Sequence, residues 1–256
     1  MTVIDFSFLK QYCSVSLEGE TDVLFEAPAL ELTDPQTLRR IMAELEQAYE
    51  ATSPLLPVSV LGLSLFGLCG AHLYTSACHG PSSLSMDLKH YSLQIALYNK
   101  QMPYLALKIN RLCWRNASLQ EDLSKQLETH IAEPIEMICS MAGVRTSLVY
   151  NQYGARMSML EQAFLQGDFK DSVKQAFING ANQLKGLPGA CFKRDANPFV
   201  HAPVYIPHPL VDGERMMLRS SCCMYDKRKN GQKCYNCPAL TDEARKRIRE
   251  EMHKSL

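Results

Sequence analysis

Leu55-Leu56-Pro57-Val58-Ser59-Val60-Leu61-Gly62-Leu63-Ser64-Leu65-Phe66-Gly67-Leu68-Cys69-Gly70-Ala71-His72-Leu73-Tyr74 is the longest apolar run in the chain. Its length approaches the roughly 20 apolar residues that a membrane span requires. Pro57, Ser59, Ser64, His72 and three glycines interrupt it, and no flanking Lys, Arg or aromatic anchors mark two interfaces. The run is therefore expected to be a core helix from about Pro57 to about Leu73. Being apolar nearly all round, it should lie in the middle of the domain.

Upstream, Asp34-Pro35 places a capping carboxylate before a proline at the first helical position, and Leu38, Ile41, Met42, Leu45 and Tyr49 repeat at helical spacing. Downstream the period changes. Leu93, Ile95 and Leu97 alternate with polar or small residues, as do Leu105, Leu107 and Ile109, so residues 91–109 read as a hairpin with its loop at Asn99 to Pro103. Ser118 with Glu121 has the form of a capping box before Leu123, Leu127 and Ile131, and Pro134 predicts a kink or a restart. Two further helices are expected at about Ser147 to Leu165 and Asp168 to Leu184. The fold class that results is α+β: a mainly α-helical body with one or two small β-hairpins and a C-terminal loop carrying cysteines.

Beyond residue 190 the texture changes. Gly186 to Pro209 holds five prolines and two glycines without a sustained period, which reads as loop. Val204 to Ile206 and Arg215 to Leu218 flank Asp212-Gly213, a pair suited to a tight turn. After Pro238, Thr241 caps a short basic helix over Asp242 to Lys254. Residues 1–190 are thus expected to form the body, and residues 191–256 a loop, a hairpin, a metal-binding segment and the basic helix.

Lys plus Arg balance Asp plus Glu at 27 each, so no overall field points to nucleic acid or an acidic membrane surface. The balance hides a gradient, because residues 191–256 contain 13 basic and 8 acidic side chains. Met1 to Lys10 lack the charged and apolar regions of a secretory signal, so the ten cysteines are expected to be thiols in the cytoplasm. Cys13, Cys69, Cys78, Cys113, Cys139 and Cys191 are scattered singly and read as small buried hydrophobes.

The other four fall together: Cys222-Cys223, ten residues, then Cys234-Tyr235-Asn236-Cys237 and Pro238. A Cys-x-x-Cys lets two thiolates bind one metal ion, which suits zinc, a redox dithiol or an iron–sulfur cluster. The adjacent pair weighs against one tetrahedral zinc, since neighbouring side chains of an extended chain point to opposite faces. Lys227 to Lys233 make the intervening loop solvent-facing. His201 and His208 flank the hairpin as alternative cluster neighbours, and Cys78-His79 has no second pair at metal spacing. Gly62, Gly67 and Gly70 sit inside an apolar helix rather than between strand and helix, so no nucleotide fingerprint is present.

Ser221-Cys222-Cys223-Met224-Tyr225 through Lys233-Cys234-Tyr235-Asn236-Cys237 resembles the FhuF-type ferric-siderophore reductases, whose hallmark is a C-terminal Cys-Cys-x10-Cys-x2-Cys. Leu123 to Ala142 with Pro134, the polar break at Leu148-Val149-Tyr150-Asn151, and Asn197-Pro198-Phe199 with the hairpin ending at Arg219 extend the likeness to roughly residues 84–238. The resemblance implies a [2Fe–2S] cluster on Cys222, Cys223, Cys234 and Cys237. It further implies one-electron reduction of Fe(III) to Fe(II) in a bound siderophore in the cytoplasm. The absence of a nucleotide fingerprint implies an external donor, and the basic segment suits an acidic ferredoxin-like donor, an anionic ferric complex, or each in turn. No nucleic-acid partner is expected, and no peripheral membrane association. Arg215, Arg219, Lys227 and Arg228 are candidates for the donor or substrate contact face, and Asn151, Tyr153 and Arg156 for a substrate cleft. The competing readings are a zinc-stabilised binding or regulatory module, and an iron–sulfur sensor without reductase activity.

Overall fold

The computed structural model describes residues 4–80, 82–116 and 120–254. The capping box at Ser118 and Glu121 lies outside the residues whose side chains are described.

The apolar run forms a helix of 25 residues, Leu55–His79, longer at both ends than its sequence suggests. Proline is tolerated in the first turn, where the N–H it lacks has no helical partner, so Pro57 does not set the start. Beyond Leu73 the helix continues because Tyr74, Thr75, Ala77 and Cys78 are buried. This helix is long and apolar enough to cross a membrane, yet 83% of its most apolar window is buried inside the protein. Two glycines set how closely its neighbours approach. A β-carbon on Gly67 would overlap the Cys13 carbonyl oxygen, and one on Gly62 would overlap the Val149 side chain.

Helix Pro35–Ala48 begins as expected, with the Asp34 carboxylate accepting from the Thr37 N–H at 2.8 Å. Its apolar stripe of Leu38, Ile41, Met42 and Leu45 is buried. The expected hairpin is also present, as strands Tyr91–Tyr98 and Met102–Ile109, with Asn99 and Lys100 both at positive φ in the turn. The hairpin is not free-standing. Val15–Ser16 pairs parallel to Met102–Ile109, and Val23–Pro28 pairs antiparallel to Tyr91–Tyr98, making a four-stranded sheet. Both flanking strands are short or half-exposed, with Leu24 and Glu26 facing out, and so lack a strong apolar alternation.

Gln120–Leu127 runs through a π-helical stretch, Glu128–Ala132, into Glu133–Met141. Pro134 has no N–H, and its ring crowds the carbonyl four residues back. The widened turn just before it accommodates both effects, so the chain neither stops nor restarts there. The helix expected from Ser147 is split into Ser147–Tyr150 and Tyr153–Gln166, and Asp171–Lys185 follows. The C-terminal hairpin pairs Tyr205–Pro207 with Arg215–Met217, and Gly213 turns at φ +82°. The basic helix occupies Asp242–Lys254, with the Thr241 hydroxyl accepting from the Ala244 N–H at 3.2 Å.

Of the six scattered cysteines, Cys13, Cys69, Cys78 and Cys139 are buried thiols. Cys113 and Cys191 are only partly buried, which corrects the expectation for those two. Desolvation raises the Cys13 and Cys139 thiols to about 12 and that of Cys69 beyond them, so all three are inert packing groups.

Candidate metal centre

Cys222, Cys223, Cys234 and Cys237 line one recess, together with Arg219, Tyr225, Asp226, Gln232 and Lys233. The Cys222 thiol donates to Asp226 Oδ1 at 3.7 Å, and Cys223 with Cys234, like Cys222 with Cys237, lie close enough to perturb one another. The Cys223 thiol is held well below its ordinary value, first by the hydrogen bond from Cys234 and then, against burial, by Arg219, the Tyr225 backbone N–H and Arg156. Cys234, the donor of that bond, is pushed up in return. The thiolate is the form that binds metal. Burial raises Cys222 to about 11, and its sulfur accepts from the Met224 N–H at 3.4 Å.

The adjacent cysteines reach one recess because the chain bends sharply after them. Met224 adopts a left-handed conformation, φ 60°, before the turn Tyr225–Lys227. The loop then returns along the body. Arg228 bridges to Ala51, the Thr52 N–H and hydroxyl both donate to the Lys227 carbonyl, and the Lys229 N–H donates to the Glu50 carbonyl at 2.8 Å. On the opposite side the Ser59 hydroxyl donates to the Cys223 carbonyl at 2.9 Å and itself accepts from Gln152. The central helix therefore holds the first cysteine pair from below.

The second pair is held from the C-terminal helix. Arg245, only 13% exposed, donates to the carbonyls of Tyr235 at 3.1 Å and Cys237 at 3.0 Å. Arg249 donates to the Pro209 carbonyl and to Asp212, and the Tyr235 hydroxyl to the Pro207 carbonyl. Neither arginine stands out in the sequence except as part of a basic helix just beyond Cys237. We expect Arg245→Met to load with iron normally but to surrender it to a strong chelator several-fold faster than the parent. Unchanged release, followed by loss of visible absorbance, would show that the clamp has no part in holding the Cys234–Cys237 turn.

A half-open cavity of about 350 Å³ adjoins the recess and has Cys223 and Cys234 in its wall. Arg156, Arg219, Tyr12, Tyr49, Tyr104 and Tyr225 line it. The structure thus brings two of the seven sequence candidates, Arg156 and Arg219, together beside the thiols. Tyr153 is wholly buried and donates to the Gly62 carbonyl at 2.7 Å, and Asn151 is exposed at the helix break. Arg228 stacks on Tyr225 and donates to its hydroxyl at 2.6 Å, so it supports the cavity wall. Lys227 pairs with Asp226, and Arg215 donates to the Tyr205 carbonyl on the hairpin surface. His208 accepts from the N–H groups of Leu210 and Val211, and His201 packs against Gly154. The four tyrosines were not visible as a group in the sequence, because they come from segments far apart in the chain.

The donor set fits a two-iron cluster. Cys222, Cys223, Cys234 and Cys237 would hold it, four thiolates being the all-cysteine ligand set such clusters use. No curated protein and no solved structure matches the chain. Residues 219–238 match the family model described as the FhuF 2Fe-2S C-terminal domain. All four cysteines lie inside that match, so residues 219–238 are similar to the FhuF 2Fe–2S domain and the cofactor is a [2Fe–2S] cluster.

Proposed function

We propose that this protein is a cytoplasmic ferric-siderophore reductase that takes single electrons from a ferredoxin-like donor. The observation that carries the reading is the cavity whose wall contains Cys223 and Cys234. A ferric complex seated there would lie against two of the cluster's own ligands. When bound, the cluster supplies one electron at a time. Hydroxamate and catecholate oxygens are hard donors that hold Fe(III) far more tightly than Fe(II), so a single electron loosens the chelate.

The chain's own residues do the rest. Ser59, Thr52 and Arg245 fix the backbone that carries the thiols, limiting reorganisation when the charge changes. Tyr49, in edge contact with Tyr225, and Arg228, stacked on the Tyr225 ring, keep the cavity wall closed against the loop. Arg156 and Arg219 keep positive charge beside the thiolates and stabilise the more negative, reduced state. Mixing the chemically reduced protein anaerobically with a ferric siderophore and a ferrous-specific trap should yield coloured Fe(II) complex only in the presence of protein. A holoprotein that yields none with any hydroxamate or catecholate complex would overturn the reading.

The cluster loop offers a face for the donor. Lys227, Lys229 and Lys233 point outward at 42%, 66% and 39% side-chain exposure. Lys227→Glu combined with Lys229→Glu should slow reduction by an acidic ferredoxin several-fold at low salt. The two rates should converge at high salt, because exposed charges steer only within a screening length of about 10 Å at 0.1 M. Initial rates against ionic strength check this; parallel curves for variant and parent would remove the loop from the docking face.

A further inference from the structure

Arg156 and Arg219 line the same cavity, and no Asp or Glu lines it with them. Among the described residues neither has a carboxylate partner, and the Nε of Arg219 is buried without any hydrogen bond. Burial, and then the charge of Arg219, lower the Arg156 guanidinium from its ordinary value. Its side chain is nonetheless reached by solvent, because it faces the open cavity while protein surrounds it on the other sides. Two like charges held together without a counter-charge are costly unless something anionic answers them.

The cluster answers part of that charge, since two Fe(III), two sulfides and four thiolates together are anionic. The two arginines divide here. Both line the cavity and a smaller pocket beside Ser220 and Ser221, but only Arg219 also lines the cysteine recess. Arg156, outside the recess lining, is therefore the cation the cavity offers a ligand.

We propose that the cavity binds an anionic ferric chelate with aryl-oxygen donors, of the catecholate class, with Arg156 as its anchor and tyrosine rings against its arms. This deepens the ferric-siderophore reading and rests on it. Three catecholate arms bring twice the negative charge that Fe(III) cancels, leaving a trianion, whereas three hydroxamate arms leave a neutral complex. A planar guanidinium matches paired aryl oxygens in a way an ammonium does not. Tyr12, Tyr49, Tyr104 and Tyr225 line the cavity, and contacts between aryl rings contribute beyond area alone. The volume, about 350 Å³, is at the low end for a ligand pocket and admits one face of the chelate, the rest remaining in water.

Gallium(III) has the charge and nearly the size of Fe(III) but accepts no electron, so gallium chelates separate binding from reduction. The holoprotein is titrated, with intrinsic fluorescence as the readout, with gallium tris-catecholate, gallium trihydroxamate and gallium citrate. The tris-catecholate should bind at least tenfold more tightly than the other two. Arg156→Gln should lose at least tenfold for the tris-catecholate alone, with Arg156→Lys recovering part of it, while the cluster's absorption and iron content stay unchanged. Tyr12→Leu, at a half-exposed position, should weaken the same ligand several-fold.

Equal or tighter binding of the trihydroxamate overturns the anionic preference, and equal binding of citrate overturns the aryl preference. A variant at Arg156 that shifts the potential but leaves affinity untouched assigns that residue to the cluster and overturns its role as anchor. Failure of the reductase reading is distinguishable: gallium affinities as stated, with no reduction of the corresponding ferric complex, would sink the activity and leave the binding site. Reduction of a ferric trihydroxamate without gallium tris-catecholate binding would do the reverse.

Discussion

Replacing Cys234 or Cys237 with serine is expected to remove most of the cluster iron while the helical body stays folded. A serine oxygen is a harder, more weakly donating ligand than a thiolate, so an iron held by either cysteine would be held far less firmly. The body does not need the metal. Its core is built on Leu55–His79 and its neighbours, and of the four ligands only Cys237 is deeply buried, at 2% exposure, outside the main apolar cluster. Iron and sulfide should fall from about two of each per chain to a small fraction, with far-ultraviolet circular dichroism close to the parent's. Full iron content in both variants would contradict the ligand assignment.

The largest effect on stability is expected at Gly67. The β-carbon of Gly67→Val would overlap the Cys13 carbonyl oxygen, and the strand after it, Val15–Ser16, is fixed by pairing with Leu107 and Lys108. A flexible side chain could step aside, but a backbone carbonyl in a paired segment cannot without carrying its strand along. Overpacking of a filled core costs typically about 1–3 kcal/mol, and a backbone obstacle puts this site at about 3 kcal/mol. In a chain of this size that corresponds to a fall in Tm of roughly 6–12 °C. Since Cys13, Ser14 and Gly67 also line the cavity, ligand affinity should fall with it. A variant melting within about 2 °C of the parent would show that the Leu9–Cys13 segment is not held where the structure places it.

The cluster was legible because its signal is local: four cysteines at fixed spacing in a hydrophilic loop. The central helix, the helix from Pro35 and the Tyr91–Ile109 hairpin were legible for the same reason, each carrying its own period or cap. Val15–Ser16 and Val23–Pro28 were not. A strand of two residues has no period, and an edge strand with Leu24 and Glu26 outward shows no clean alternation. Pro134 misled in a different way, since a π-helical turn absorbed the strain that the sequence alone assigns to a break. The cavity was the least legible feature. Tyr12, Tyr49, Tyr104 and Arg156 meet only because the sheet and the central helix bring four distant segments to the edge of the cysteine recess.

The most direct test of the account is an anaerobic titration of the chemically reduced holoprotein with substoichiometric ferric siderophore, frozen after each addition. The EPR signal of the reduced cluster and the Fe(II) captured by a ferrous trap are quantified on the same samples. Electron transfer from this cluster to the chelate predicts that one cluster signal is lost for each Fe(II) formed, until the protein is fully oxidised. A cluster signal that persists undiminished while ferric complex accumulates in the sample would contradict it.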